Sequence, residues 1–216
     1  MPDTTLTWLG HAAFRIDTPA GKRIYVDPFL HGNPKCPADE QQPERADIVA
    51  VTHGHGDHVG SLDELKGTLG AEVQVLMPEL DARIHAGENV VDGKLKGSWP
   101  TLSTVPDVRL THGDRVGSLE VIPSPGHTPG HVAFLDTRDR TLIAGDVFTT
   151  FGSVQVTNHF YWRFPLAAMA TNDKPQDLAS ARALRALDPA LLVVGHGGAV
   201  RAPGTQMDAA IRRAEG

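Results

Sequence analysis

The chain of 216 residues is 40% apolar and 21% charged and holds no apolar run long enough to span a bilayer, which excludes disordered, collagen-like and membrane-spanning classes. Its net charge of -6, from 20 basic and 26 acidic residues, excludes a nucleic-acid binder working through a broad basic face. The one cysteine, Cys36, permits no intrachain disulfide, and the start Met-Pro-Asp-Thr-Thr lacks the basic-then-apolar pattern of an export signal, so a cytoplasmic protein is expected.

In chain order, Thr5 to Leu9, Ala13 to Asp17 and Arg23 to Asp27 read as three short strands separated by turn residues. Pro28 to Pro43 is rich in Pro, Gly and polar residues and reads as loop. Asp47 to Thr52 is a short β-branched apolar run, hence a buried strand, with His53 at its end. Ser61 to Leu69 reads as a helix whose Ser61 N-cap and Glu64 have capping-box spacing. Glu72 to Met77 is the next strand, Glu79 to Ala86 a helix, and Gly87 to Pro106 loop. Val108 to Thr111, Arg115 to Pro123, His131 to Asp136 and Thr141 to Ala144 read as strands, with a turn at Thr137 to Arg140. A helix is expected over Gln176 to Leu187, where Leu178, Ala181, Leu184 and Leu187 fall at helical spacing before Pro189. A strand over Leu191 to Val194 and a helix over Thr205 to Ala214 close the chain. This mixed order predicts a layered α/β protein, a single domain over residues 1–216.

The chain carries eleven histidines, and their placement points to chemistry. His53-Gly54-His55-Gly56-Asp57-His58 packs four metal-ligand side chains into six residues, a pattern expected by chance in roughly 0.002 copies at this composition. In an extended segment residues 53, 55 and 57 share one side, and the two glycines permit a turn that brings His58 round. Three more ligand-type residues follow an apolar strand and a glycine: His127, Asp146 and His196. If those strands end on one edge of a layered domain, the side chains converge there.

The segments Thr-His-Gly-His-Gly-Asp-His-Val-Gly, Pro-Gly-His-Thr-Pro-Gly-His, Ala-Gly-Asp and Gly-His-Gly, in that order, resemble the metallo-β-lactamase superfamily of metal-dependent hydrolases, from Trp8 to about His196. The resemblance implies a four-layer αββα sandwich with a binuclear centre: His53, His55 and His127 on the first metal, Asp57, His58 and His196 on the second, Asp146 bridging. It implies a metal-bridging hydroxide that cleaves a small ester, lactone, thioester or phosphodiester. Asp57 would also orient the water and take its proton. The opening Trp-Leu-Gly-His-Ala-Ala-Phe and the Tyr-Val-Asp-Pro-Phe-Leu look like small hydrolases related to ascorbate-phosphate lactonases and N-acylphosphatidylethanolamine phospholipases, whereas Pro-Gly-His-Thr-Pro-Gly-His looks more like glyoxalase II and its relatives. Only 20 residues follow His196, too few for the added substrate domain of that enzyme. Imidazole and carboxylate ligands without thiolate suit two divalent ions, Zn first, with Fe or Mn admissible. A persulfide dioxygenase-like iron oxidoreductase of the same fold and a metal-stabilised binding module are the alternatives.

Other residues take lesser roles. Asp27, at a strand end before Pro28, is a turn residue or a carboxylate accepting the second ring N–H of a ligand histidine. His11 is assigned near the metals by resemblance or to a structural hydrogen bond, and His131 to a structural one. His31, His85 and His112 have loop-like or surface contexts and receive no role. The aromatic run around residues 160–164 is pocket wall, core or partner contact, with Tyr161 and Arg163 as the candidates for touching substrate. Cys36 is a lone thiol. The expected partner is a small-molecule substrate, with no nucleic acid and no membrane; a homodimer remains open.

Overall fold

The computed structural model describes residues 4–216, so Met1 to Asp3, the first part of the stretch read for an export signal, lie outside it. The chain divides into two compact units, one running to Glu88 and including Ser98–Leu110, the other comprising Asn89–Gly97 and Thr111–Gly216. No helix of the described residues is long and apolar enough to cross a membrane.

The first unit is built on six strands, β1 (Thr5–Trp8), β2 (Phe14–Asp17), β3 (Arg23–Val26), β4 (Ile48–Ala50), β5 (Gln74–Pro78) and β6 (Val108–Leu110), which lie side by side in chain order. The meander β1-β2-β3 is antiparallel, as tight turns require, and β3 to β6 run parallel through longer crossovers. Those crossovers hold helices α1 (Gly56–Val59), α2 (Leu62–Leu69) and α3 (Glu79–His85). Tyr25, Val49, Val51, Val75 and Met77 share a core with Val59, Leu62, Leu65 and Ala82 of the helices. The alternate residues Ile24, Val26, Ala50 and Leu76 are buried too, which is why these strands read as unbroken apolar runs.

The capping box expected at Ser61 does not form. Ser61 makes no cap hydrogen bond; its Oγ instead accepts from the Leu30 and His31 amides, both at 2.9 Å, tying the loop after β3 to the start of α2. Buried amides from a distant loop outcompeted the local partner.

In the second unit the expected strand over Arg115 to Pro123 is broken at Gly117-Ser118 into a hairpin, β7 (Arg115–Val116) and β8 (Leu119–Pro123). After them come β9 (Val132–Asp136) and β10 (Thr141–Ile143), the ribbon β11 (Phe148–Thr149) and β12 (Gln155–Val156), helices α4 (Pro165–Ala170) and α5 (Lys174–Ala186), strands β13 (Leu191–Val193) and β14 (Val200–Arg201), and helix α6 (Gly204–Glu215). The sheet order is β14-β13-β10-β9-β8-β7. β13 lies parallel to β10, and β8 points the same way because both it and β10 run antiparallel to β9. The carboxyl ends of β8, β10 and β13 therefore share one edge. Helix α5 starts two residues before the expected Gln176, because Asp173 caps it by accepting from the Gln176 amide at 3.0 Å and Pro175 occupies its first turn. Ala181 and Leu184 of α5 and Met207, Ala210 and Ile211 of α6 pack on Leu135, Leu142 and Leu192 of the sheet.

Candidate functional site

In the first unit, Asp27 directly follows β3 at φ 50°, a left-handed conformation that Asp tolerates better than most residues. Its buried carboxylate accepts from the Thr52 amide at 2.7 Å, the Thr52 hydroxyl at 2.6 Å and the His58 Nδ1 at 2.9 Å. A hydroxyl has one proton to give, so Thr52 Oγ1, having given its own to Asp27, accepts from His53 Nδ1 at 3.1 Å. Both His53 and His58 thus carry their proton on Nδ1, and each offers an Nε2 lone pair. Of the two readings of Asp27, the histidine-orienting one matches this geometry.

The segment that follows departs from the expected alternation. The backbone is extended at His55 (φ -69°, ψ 150°), but Asp57 and His58 lie within the helical turn α1. Helical winding, not an extended strand, brings the His58 ring to 3.8 Å from that of His53, with the His55 ring 4.9 Å from His53. Nor does Gly54 serve as a turn residue. It leaves room: a Cβ there would lie 2.5 Å from the Trp99 ring and 2.6 Å from His85 Nε2. His85, expected at the surface, is half-buried with its ring nitrogens 2.9 Å from the Gly54 carbonyl and 3.0 Å from that of Pro100, and burial lowers its pKa. It buttresses the loop from behind. Asp57 is more open, and His11 Nε2 lies 3.0 Å from its Oδ2.

In the second unit, His127, Asp146 and His196 follow the three strand ends that share an edge. Asp146 Oδ2 lies 3.0 Å from His196 Nε2 and 3.6 Å from His127 Nε2. His127 Nδ1 is 3.0 Å from Thr171 Oγ1, whose own proton goes to the carbonyl of Ala167 or Thr157, so His127 also donates from Nδ1 and presents Nε2. His131 has the opposite arrangement. Its Nε2 accepts the Asp146 amide at 3.0 Å, so its Nδ1 donates to Ser124 Oγ at 2.9 Å. That leaves no lone pair for a ligand, matching its structural assignment: it holds the backbone of Asp146.

Sequence reading missed Asp177, a buried carboxyl on α5. The Thr157 hydroxyl donates to the Asp146 carbonyl at 2.6 Å and is shared with Asp177 Oδ2 at 3.1 Å. Burial, reinforced by the charge of Asp146, raises the Asp177 pKa well above the carboxylate range. A raised folded-state pKa means stability is full below the unfolded value and declines as pH climbs towards the folded one. Asp177→Asn, which removes the buried titrating carboxyl while keeping an oxygen to accept from Thr157, is expected to flatten that decline. Denaturation midpoints at pH 5 and pH 8 check it; an equal drop in both proteins would count against a protonated Asp177.

Of the remaining candidates, Tyr161 and Arg163 both lie beside Gly152. Tyr161 Oη lies 3.4 Å from Ser153 Oγ, and the Arg163 guanidinium sits 5.0 Å over the Trp162 ring. Cys36 is buried in the core of the first unit, where burial pushes its thiol pKa up. Thr52 and Thr171, which set the tautomers of His53 and His127, were also missed; Thr171 lies 44 positions from the histidine it touches and leaves no pattern in the sequence.

The family model of the metallo-beta-lactamase superfamily matches residues 6–196. YobT of Bacillus subtilis (strain 168) is 42% identical over 77% of this chain and 74% of its own length. A UPF0173 metal-dependent hydrolase of Koribacter versatilis (strain Ellin345) is 32% identical over 89% of this chain and 84% of its own. Among solved structures, TTHA1623 in a di-iron-bound form superposes with a TM-score of 0.66 at 25% identity, covering 94% of this chain and 96% of that one. The BLEG-1 B3 metallo-beta-lactamase has the same TM-score of 0.66 at 20% identity, over 95% and 97% of the two chains, a likeness of fold. With the matched span running from β1 to the histidine after β13, the chain belongs to the metallo-beta-lactamase superfamily.

Proposed function

We propose that the protein is a binuclear metal-dependent hydrolase of small esters, lactones, thioesters or phosphodiesters. His53, His55 and His127 would hold one ion, Asp57, His58 and His196 the other, and Asp146 both. The observation that carries this reading is the shared tautomer of His53, His58 and His127: each gives its Nδ1 proton to a buried oxygen and turns out an Nε2 lone pair, the state a metal ligand requires. Surface histidines have no reason to be held so. The UPF0173 relative, named a metal-dependent hydrolase, supports it further.

Two ions held there would lower the pKa of a water towards neutrality and polarise the carbonyl or phosphoryl oxygen it attacks. The chain's own part is to orient and to move protons. Asp57, the most open of the acidic candidates, has an oxygen 3.0 Å from His11 Nε2, so a proton reaching its carboxylate has an imidazole to pass to. Asp57→Ala is accordingly expected to lower turnover more than it lowers metal content. Equal losses of both would refute proton handling.

Zinc is the ion proposed for a histidine-rich, thiolate-free set. The di-iron form of TTHA1623 supports iron as the second reading; with iron, the alternative that the sequence resemblance offers is an oxidative reaction on thiol persulfides. The deciding experiment measures metal content, then assays the same sample on lactones, thioesters and phosphodiesters and for oxygen uptake with a persulfide. Hydrolysis lost on chelation and restored by zinc is expected. Oxygen uptake by an iron-loaded sample inert towards every ester would replace the hydrolase reading.

A further inference from the structure

Within the second unit a strip of exposed apolar side chains starts at His196. The Phe164 ring packs 4.7 Å from the His196 ring, and Phe151 packs 5.7 Å from Phe164. Flanking Phe164 in sequence, Phe160, Trp162, Leu166 and Met169 are each more than 60% exposed. Leu166 and Met169, three positions apart on α4, share its outer face, and Ala167 and Ala168 face inward. Isolated exposed apolar residues are ordinary, but a run of them joined to a candidate ligand is not.

The strip is built rather than loose. Thr149 Oγ1 and the Thr150 amide both donate to the His196 carbonyl, at 2.8 and 2.9 Å, and Thr150 Oγ1 donates to the Gly198 carbonyl at 2.6 Å, fixing Phe151 relative to His196. The segments 151–153 and 161–163 touch at Gly152, where a Cβ would come within 3.2 Å of both Tyr161 Oη and Arg163. The Phe164 amide closes a turn onto the Tyr161 carbonyl at 2.9 Å. On this wall Arg163 stacks on Trp162 and, among the described residues, has no carboxylate partner. An apolar platform, a guanidinium awaiting an anion and a candidate ligand at one end make a complementary surface for an amphipathic anion.

We infer that this wall is the substrate subsite for an apolar acyl group, with Arg163 taking an anionic group of the same molecule. The inference rests on the hydrolase reading for its reaction but not for its binding. The probes are acetate, octanoate and octanamide, titrated into the metal-loaded protein by calorimetry. Octanoate should bind about tenfold or more tighter than acetate, since its six added methylenes leave water on the wall. Phe160→Ser combined with Trp162→Ser should reduce that ratio to below about threefold while acetate binding holds, and Arg163→Gln should weaken octanoate but not octanamide. These residues are exposed, so unchanged thermal midpoints establish that the variants fold. An octanoate-to-acetate ratio near one, or one indifferent to the double substitution, overturns the proposal. So does a ratio near one accompanied by a dimer, or by binding to phosphatidylglycerol vesicles, that the double substitution abolishes; the strip would then belong to a second copy or to a lipid surface. Octanoate binding as expected without any ester turnover would uphold the subsite and sink the hydrolase reading alone.

Discussion

Asp146→Asn is expected to lower hydrolytic turnover by about a thousandfold or more while the protein stays folded. The substitution keeps the volume of the side chain and the amide that donates to His131 Nε2, so the backbone after β10 has no reason to move. What changes is chemistry at one oxygen. Asp146 Oδ2 is the atom that both His196 Nε2 and His127 Nε2 approach, at 3.0 and 3.6 Å. An asparagine either sets N–H donors against that pair of imidazoles, whose lone pairs are then consumed by hydrogen bonds, or presents a neutral oxygen with far less attraction for a cation. Metal content by mass spectrometry, turnover on the best substrate of the panel and a thermal melt decide the matter. A fully metallated Asp146→Asn protein retaining a tenth of wild-type turnover would remove Asp146 from the centre.

Asp27→Asn should produce the second-largest loss, and by a different route. Asp27 accepts three hydrogen bonds, two from Thr52 and one from His58, and an asparagine can accept only through one of its two terminal atoms. If its oxygen stays with the Thr52 amide, its NH2 group faces Thr52 Oγ1 and His58 Nδ1, so His58 must accept at Nδ1 and carry its proton on Nε2. That is the wrong tautomer for a ligand. Removal of such an orienting partner typically costs about 10–100-fold in metal affinity or activity. Asparagine also tolerates the left-handed backbone at residue 27, so a thermal midpoint close to wild type is expected beside weakened metal binding. Asp27→Ala would lose all three acceptor contacts and about 3 kcal/mol or more of stability as well. Wild-type metal affinity in Asp27→Asn would show that His58 needs no help in choosing its tautomer.

Legibility in the sequence followed distance along the chain. The loop 53–58 is conspicuous because its donors are adjacent, and β4 before it is a β-branched run with no competing reading. The strand–glycine–ligand pattern at His127, Asp146 and His196 was also legible, and the shared edge of β8, β10 and β13 gives it a physical basis. Helix α1 was not, because Gly-Asp-His-Val has no apolar period and little helix propensity; the Gly54 and Gly56 amides are tied to Asp81 and to the Ser98 carbonyl, partners distant in sequence. Helix α4 is six residues long, too short for periodicity to register, and Pro165 at its start reads as a breaker as readily as a first-turn residue. Asp27 was legible as a histidine partner, whereas Thr171 was not, for the same reason that Ser61 misled. Short polar side chains take whichever buried donor or acceptor the fold delivers, and that delivery is decided far away in sequence.

The closeness of the first four donors has a consequence for folding. Four side chains of metal-ligand type within six residues would be able to gather a cation in the unfolded polypeptide, before any sheet exists. A metal stabilises a protein only by the difference in its affinity for the native and denatured ensembles, so capture by this loop in the denatured chain subtracts from the gain. His127, Asp146 and His196 span 70 positions of sequence and come together only when β13 has docked beside β10. If both sets hold metal as proposed, it is this sequence-distant trio, rather than the conspicuous loop, that would make metal binding report on the native state. A protein saturated with metal should resist unfolding less than its native-state affinity alone would imply.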